Sequence, residues 1–140
     1  MKDKKKILYV IIVGCGKMGS IVANYASAEG HNVVVIDKDE RSFELLSPEF
    51  SGFTIVGDAT EVENLKLAKV ERADILLALT TDDNTNFMIS MIAKYVFGIG
   101  KVVARVYDPE NLQLFLDFGI DAVSPILLMA EALRGFFIAD

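Results

Sequence analysis

Short, uninterrupted runs of apolar residues recur along the chain and alternate with segments of helical pattern. The clearest runs are Ile7–Val13, Val33–Ile36, Ile75–Leu79 and Val102–Val106. A strand that is apolar at every position is buried on both faces, which is typical of a parallel sheet covered by helices on both sides. The alternation therefore predicts an α/β fold, because parallel strands need long crossovers between them and helices supply these.

The segments between the runs carry signals for helix starts and ends. Lys17–Glu29 follows a glycine-rich loop and stops before Gly30, the residue type favoured just past a helix end. Thr60 and Glu63 have the spacing of a capping box, in which each side chain satisfies a free backbone N–H group. These signals predict helices after the first and third strands.

Three later segments begin with capping residues. Asp82, Asp83 or Asn84 can cap a helix after the fourth strand, and the pattern does not choose among them. Asp108 and Ser124 each place a capping oxygen directly before a proline, which is tolerated at the first helical position. Helices are therefore predicted after the fourth, fifth and sixth strands as well.

Two shorter apolar runs, Thr54–Val56 and Ala122–Val123, complete a set of six strands. Right-handed crossovers arrange such a chain as an open, doubly wound parallel sheet, for which we predict the strand order 3-2-1-4-5-6. Ligands bind such sheets at the carboxyl ends of the strands, where the order reverses between the first and fourth strands. The predicted site therefore comprises the loops Gly14–Gly19, Asp37–Asp39, Gly57–Thr60 and Thr80–Asn86.

The first of these loops is a G-x-G-x-x-G motif, Gly14-Cys15-Gly16-Lys17-Met18-Gly19, between a predicted strand and a predicted helix. Gly14 permits the tight turn, Gly16 lets a diphosphate approach the backbone, and Gly19 lets the helix pack close to the strand. The helix start offers N–H groups and the positive end of its dipole to phosphate. A tight turn without a ligand is the alternative, and Lys17 is either solvated or directed at a phosphate.

An acidic residue supports the nucleotide interpretation. Asp37 ends the second apolar run, 23 residues after Gly14, where a carboxylate hydrogen-bonds ribose hydroxyls. Its charge argues against a 2′-phosphorylated cofactor, although the adjacent Lys38 weakens that argument. A solvated loop carboxylate is the alternative.

The other loops are less informative. Asp58 lies near an adenine or merely forms a turn, and the polar segment Thr80–Asn86 either borders the ligand or caps a helix. Asp82 and Asp83 are adjacent carboxylates without further oxygen ligands, which is weak evidence for a metal ion. Arg105 ends an apolar strand, so we expect it to meet a carboxylate or an anion.

The single cysteine and the single histidine restrict the chemistry. Cys15 cannot form an intrachain disulfide, and it is either a thiol activated by the helix dipole or a small apolar filler. His31 lies in the turn before the second strand, at the edge opposite the predicted site. With no other histidine in the chain, neither a Ser-His-Asp triad nor a multi-histidine metal site can form.

Length and charge narrow the function classes further. At 140 residues the chain is expected to form one domain, 1–140. A net charge of -6 argues against binding along nucleic-acid phosphates. The apolar runs are far shorter than the roughly 20 residues that cross a bilayer, and the basic start Lys2–Lys6 is not followed by a signal-peptide cleavage pattern, so we expect a cytosolic protein.

The predicted dinucleotide unit occupies the whole chain, which leaves no part to bind a dehydrogenase substrate beside a nicotinamide. We therefore expect a nucleotide sensor rather than an enzyme. The last helix, predicted from Pro125 to Ala139, carries more apolar residues than one core-facing stripe requires. Its surplus either faces another protein or wraps deeply onto the chain's own sheet.

Seven segments in a characteristic order and spacing extend this interpretation. Together they resemble the TrkA-N or RCK amino-terminal domain family, the cytosolic regulatory domains of potassium channels and transporters, over nearly all of Ile7–Asp140. Full-length members continue into a second ligand-binding domain, so this chain is either a single-domain regulator or a truncated piece. The segments are Gly14–Gly19, Val33–Asp37, Gly57–Thr60, Ala73–Asp74, Thr80–Asn86, Ala104–Val106 and Gly119–Pro125.

The resemblance implies a Rossmann-like, doubly wound sheet with a crossover helix at 125–140. It implies NAD(H), ATP, ADP or AMP as the ligand and a regulatory role in potassium uptake or channel gating. The implied partners are a membrane-embedded channel or transporter subunit and further copies of the chain, in a homodimer or higher ring formed through the last helix. The protein would lie in the cytoplasm against the inner face of the membrane, without inserting into it.

The resemblance also assigns roles to residues. The glycines of the loop would hold phosphate, Asp37 the ribose, and Asp58 and Ala59 would lie near the adenine, with Thr80 and Arg105 bordering the site. From the residues themselves, the dinucleotide-binding part of an oxidoreductase with its catalytic domain on another chain is the alternative. The candidate binding residues are Gly14, Cys15, Gly16, Lys17, Met18, Gly19, Asp37, Lys38, Gly57, Asp58, Ala59, Thr60, Thr80, Thr81 and Arg105.

Overall fold

A computed structural model describes residues 6–138 and contains one six-stranded sheet. All five strand pairings are parallel, and the strand order is 3-2-1-4-5-6, which confirms the predicted topology. The first strand is shorter than the apolar run that predicted it, because Ile7 lies outside the sheet and is exposed. The strands are β1 (Tyr9–Val13), β2 (Asn32–Asp37), β3 (Phe53–Val56), β4 (Ile75–Ala78), β5 (Lys101–Arg105) and β6 (Asp121–Val123).

Within residues 6–138, five α-helices connect or follow the strands, and short 3₁₀ turns supplement them. A 3₁₀ turn over Glu40–Leu45 connects β2 and β3, and α3 continues into a π-helical turn over Ile92–Val96. The proline after β5 opens another 3₁₀ turn, Pro109–Asn111, rather than an α-helix. The helices are α1 (Lys17–Ala28), α2 (Val62–Leu67), α3 (Asp83–Met91), α4 (Leu112–Asp117) and α5 (Pro125–Arg134).

Two layers of core cover the two faces of the sheet. Alternate residues of β1 point to opposite faces, so Ile11 packs in one layer and Ile12 in the other, and both are fully buried. The layer around Ile12 includes Ala23 and Ala26 of α1. Small residues on this face of α1 let the helix lie close to the sheet, which sets the position of its first turn.

The start of α2 departs from the predicted capping box. The N-cap residue is Glu61, which makes no capping side-chain hydrogen bond within the described chain. The Thr60 hydroxyl instead donates to Asp58 Oδ1 at 2.7 Å. The Thr60 side chain therefore stabilises the loop after β3 rather than the helix.

The last helix does not pack onto the sheet. None of the α5 residues is buried, and Phe136 and Phe137 beyond it are each 85% exposed. The interpretation in which this segment wraps onto its own sheet is therefore wrong for the described part, to residue 138. Over residues 6–138, no helix combines the length and apolar character needed to span a bilayer.

Candidate functional site

A cleft of about 780 Å³ opens at the carboxyl ends of the strands, where the strand order reverses between β1 and β4. Its floor is the glycine loop after β1, one wall is formed by residues that follow β2 and β3, and the other wall by residues at the ends of β4 and β5. The cleft lies where ligands bind in doubly wound sheets.

The three glycines of the loop have different steric requirements. Gly14 has a φ of +103°, and a Cβ there would lie 2.9 Å from the carbonyl of Leu79. A Cβ on Gly19 would lie 1.8 Å from the carbonyl oxygen of Gly14. Gly14 and Gly19 are therefore required by the fold itself, whereas a Cβ on Gly16 would meet no protein atom within 4 Å in the described chain.

The first turn of α1 is suited to bind an anion. Gly16 is its N-cap and supplies no side-chain acceptor, and the first turn contains no acidic residue. The first helical backbone bond runs from Ser20 N–H to Gly16 O. Helix starts of this kind present N–H donors and positive dipole charge, and the open space above Gly16 provides room for a phosphate group.

Asp37 connects the end of β2 to the glycine loop. Its Oδ2 accepts a hydrogen bond from Cys15 N–H at 2.7 Å, and its Oδ1 accepts one from Asp39 N–H at 2.8 Å. These bonds hold the carboxylate at the wall of the cleft. Because a carboxylate has about four acceptor positions, Asp37 retains capacity for the hydroxyl groups of a ribose.

A second carboxylate lies on the same wall, after β3. Asp58 Oδ1 accepts from the Thr60 hydroxyl at 2.7 Å and from Thr60 N–H at 2.9 Å. Lys38 Nζ lies 3.6 Å from Asp58 Oδ2. The Thr60 hydrogen bonds, together with the Lys38 charge, lower the pKa of Asp58, so this carboxyl group is ionised at neutral pH.

The opposite wall is held together by a buried amide. Asn86 is fully buried, and its Oδ1 accepts from Thr80 N–H at 3.0 Å and from the Thr80 hydroxyl at 2.6 Å. Its Nδ2 donates to the backbone oxygens of Thr80 at 3.0 Å and Arg105 at 2.9 Å. All donors and acceptors of this amide are used, so Asn86 fixes the end of β4 against the end of β5.

The two adjacent aspartates of this wall have separate structural roles. Asp82 is the N-cap of α3 and accepts from Asn84 N–H and Thr85 N–H, which decides the capping choice that the sequence left open. Asp83 accepts from three donors of the loop after β5: Tyr107 N–H at 2.6 Å, Asp108 N–H at 3.0 Å and Asn111 Nδ2 at 3.0 Å.

The environment of Asp83 favours its ionised form. Partial burial on its own would raise the pKa of Asp83, but the hydrogen bonds from the loop after β5, with the charge of Arg105, lower the pKa overall.

The structure gives no support for a metal site at Asp82 and Asp83. Within residues 6–138, no group of three His, Cys, Asp or Glu side chains is arranged to hold a metal ion.

The side chain of Arg105 lines the cleft at the end of β5. Its Nε atom is buried and has no hydrogen-bond partner in the described chain. Lys17, in the first turn of α1, is a second cation that lines the cleft. The structure thus places positive groups at the start of α1 and at the end of β5.

The cysteine of the glycine loop does not have the properties of an activated thiol. Cys15 is fully buried, and burial, reinforced by the charge of Asp37, raises the pKa of its thiol to about 11. Burial therefore outweighs the helix dipole here, and the interpretation as apolar filler fits the structure. His31 lies at the amino-terminal edge, where its Nδ1 accepts from Leu8 N–H at 3.0 Å.

Most of the predicted site residues line this one cleft. Cys15, Gly19 and Thr60 do not: Cys15 and Gly19 are buried, and the Thr60 side chain donates a hydrogen bond to Asp58. Sequence reasoning omitted Ile21, whose helical spacing from Lys17 places it on the same side of α1 and was the available signal. Six further lining residues were also not predicted as binding residues: Val13, Ile36, Ser42, Leu79, Asp82 and Thr85.

Comparisons with known proteins agree with this geometry. The model of the TrkA-N domain family matches residues 10–125. The Trk system potassium uptake protein TrkA of Streptomyces coelicolor is 33% identical over 124 residues, a match that covers 89% of this chain and 56% of that protein. The chain therefore spans little more than half the length of this curated relative.

Solved structures share the fold. The TrkA-N domain of the inner membrane protein YbaL from Escherichia coli has a TM-score of 0.84 at 19% identity, covering 96% of this chain and 100% of that one. The GsuK channel bound to NAD has a TM-score of 0.79 at 26% identity, covering 96% of this chain and 24% of that one. The Kef C-terminal domain of Shewanella denitrificans, in an AMP-bound form, has a TM-score of 0.74 at 23% identity, covering 93% of this chain and 82% of that one.

Proposed function

The chain belongs to the TrkA-N domain family, and from that membership we propose that it is a nucleotide-sensing regulatory domain of a potassium uptake or channel system. In this proposal the cleft between β1 and β4 binds NAD(H) or an adenine nucleotide, and binding changes how the domain acts on its transport partner. The observation that carries the proposal is the uncapped, glycine-lined start of α1 beside the carboxylate of Asp37.

Each wall of the cleft has a part in this proposal. The N–H groups at the start of α1 bind phosphate, and Lys17 adds a positive charge. Asp37 binds the hydroxyl groups of the adenosine ribose, while Asp58 and Ala59 border the adenine. The relatives support the ligand class, since one solved neighbour was determined with NAD and another with AMP.

The described groups of the cleft favour binding over catalysis. The carboxylates of Asp37 and Asp58 are both held by hydrogen bonds from the protein. The thiol of Cys15 is buried and protonated at neutral pH, and His31 lies at the opposite edge of the sheet. We therefore propose a non-enzymatic role, in which the bound nucleotide is a signal rather than a substrate.

The last helix is the proposed contact with other copies of the chain. Apolar residues of α5 line a shallow groove of about 450 Å³, and the aromatic pair Phe136 and Phe137 is exposed beyond it. Pairing two such helices would bury this apolar surface, which the chain alone leaves in contact with water. In the proposal, the resulting dimer or ring acts on a membrane-embedded potassium channel or transporter subunit from the cytoplasmic side.

Thermal unfolding of the nucleotide-stripped protein tests the ligand proposal. AMP, ADP, ATP, NAD and NADH would each be added to the wild type, to Asp37→Ala and to the matched control Asp117→Ala, whose carboxylate lies at the end of α4. A ligand at 100 times its Kd stabilises the fold by about 2.7 kcal/mol, so we expect a clear rise in Tm. The rise should persist in Asp117→Ala and disappear in Asp37→Ala. If none of the five ligands shifts the Tm of the wild type, the proposal is wrong.

A further inference from the structure

The guanidinium group of Arg105 has a buried N–H donor without a hydrogen-bond acceptor in the described chain. Its Nε atom is buried without a hydrogen bond, and no carboxylate of the described chain forms an ion pair with Arg105. Arginine remains charged in proteins, and a buried N–H donor without a hydrogen-bond partner is costly. A group from outside the described chain would therefore lower the free energy of this arrangement.

The nearby carboxylates do not supply that partner, because the backbone already uses them. Asp82 caps the first turn of α3, and Asp83 accepts three hydrogen bonds from the loop after β5. Asp83 contributes to the electrostatic environment of Arg105 without forming an ion pair with it. Arg105 is one of the residues that line the cleft, so a ligand bound there lies beside its side chain.

The strand order places Arg105 far from the ribose-binding carboxylate. Asp37 ends β2 and Arg105 ends β5, with β1 and β4 between them. Three strand spacings of about 4.8 Å put the ends of β2 and β5 roughly 14 Å apart, with the start of α1 in the middle. A nucleoside monophosphate whose ribose lies at Asp37 places its only phosphate at α1, so a ligand that also reaches Arg105 must extend further.

We propose that Arg105 is the specificity-determining residue of the cleft and binds a second phosphoryl group, so that the cleft selects adenosine compounds with a diphosphate or longer chain over AMP. This inference rests on the proposed nucleotide-binding function. A guanidinium forms two parallel hydrogen bonds to one phosphoryl group, which suits it to this contact better than an ammonium group. Asn86 supports the contact, since its hydrogen bond to the Arg105 backbone oxygen holds the end of β5 in place.

Isothermal titration of the stripped protein with AMP, ADP and NAD tests the assignment. The variants are Arg105→Gln, Arg105→Lys and the matched control Arg72→Gln, which changes an exposed arginine beside the amino-terminal end of β4. We expect the wild type and Arg72→Gln to bind ADP and NAD more tightly than AMP. In Arg105→Gln the affinities for ADP and NAD should fall roughly 10- to 100-fold, the range for hydrogen bonds to charged groups, while that for AMP changes less than about 3-fold.

The affinities of Arg105→Lys, and the relative losses of AMP and ADP affinity in Arg105→Gln, distinguish a role in binding a second phosphoryl group from other roles of Arg105. Arg105→Lys keeps the charge but loses the paired geometry, so it should recover part of the preference for ADP over AMP. Equal losses for AMP and ADP in a folded Arg105→Gln protein, or no loss for either, would overturn the role of Arg105 and leave the nucleotide function standing. Absence of binding by all three ligands to the wild type would instead overturn the proposed function and this inference with it.

Discussion

Two helices begin at the edge of the same cleft, after neighbouring strands, yet their first turns are opposite in character. The first turn of α1 has glycine at its N-cap and no carboxylate. In contrast, α3 is capped by Asp82, and its first helical residue is Asp83. Both starts have the same backbone dipole, so the side chains alone decide which one can bind an anion from solution. The α3 start satisfies its own N–H groups, whereas the α1 start leaves them for a ligand.

The difference also predicts where in the cleft a negatively charged group can bind. In the proposed function, phosphate binds at the start of α1, and the carboxylates of Asp82 and Asp83 disfavour an anion at the start of α3. Arg105, which lines the cleft at the end of β5, is the proposed position for a second negative group. Substitutions in the two first turns test this difference.

Gly19→Ala should have the largest effect, and it should act on folding. A Cβ at this position would lie 1.8 Å from the Gly14 carbonyl oxygen, which forces α1 away from the loop. We expect a loss of about 3 kcal/mol in the free energy of unfolding, the upper range for overpacked positions, measured by urea denaturation. Gly100→Ala, where a Cβ meets no described atom within 4 Å, is the control. Equal stability of the two variants would contradict the steric argument.

Gly16→Asp should convert the start of α1 to the type found in α3. A carboxylate at the N-cap can accept the free N–H groups and repels phosphate, so nucleotide affinity should fall roughly 100-fold while the fold keeps its stability. Titration with ADP and urea denaturation measure the two quantities separately. Gly100→Asp adds the same charge near the amino-terminal edge and should bind ADP as the wild type does. Unchanged binding by Gly16→Asp would place the phosphate elsewhere.

Asp83→Asn should have the smallest effect, and it should appear in the pH dependence of stability. The pKa of Asp83 is lowered in the folded protein, so its carboxylate stabilises the fold above the ordinary Asp pKa of 3.8, and this contribution is lost as pH falls through the lowered value. The asparagine variant should lose about 1 kcal/mol at pH 6 and show a shallower decline below pH 4. Urea denaturation from pH 6 to pH 2.5 measures the free energy of unfolding of both proteins. If the two plots of this free energy against pH are parallel, the stabilising role of the Asp83 carboxylate is ruled out.

The fold was predictable because its signals are local and repeat. Wholly apolar runs such as Val33–Ile36 indicate buried parallel strands, and the handedness of crossovers leaves few possible orders. The glycine loop and Asp37 were predictable for a related reason, since a strand, a tight turn and a helix start follow one another directly in the chain. Whether these residues bind a nucleotide stays a prediction.

Other features depended on partners distant in the chain. The Thr60 hydroxyl could either cap α2 or form a hydrogen bond within the loop after β3. In the structure it donates to the Asp58 carboxylate and does not cap the helix. The sequence allowed Asp82, Asp83 or Asn84 as the cap of α3. In the structure Asp82 is the cap, while Asp83 accepts hydrogen bonds from residues 107, 108 and 111 of the loop after β5. Such choices depend on which backbone donors the fold brings near a side chain.

Apolar periodicity and glycine sterics act over a few neighbouring residues, so the layered sheet, the strand order and the loop between β1 and α1 could be predicted from the sequence. Three features became visible only in the folded chain: Asn86 joins two strand ends, Cys15 is buried within the glycine loop, and Arg105 lines the cleft with an unpartnered Nε. Burial and hydrogen-bond satisfaction are properties of three-dimensional surroundings, and residues far apart in the chain supply those surroundings.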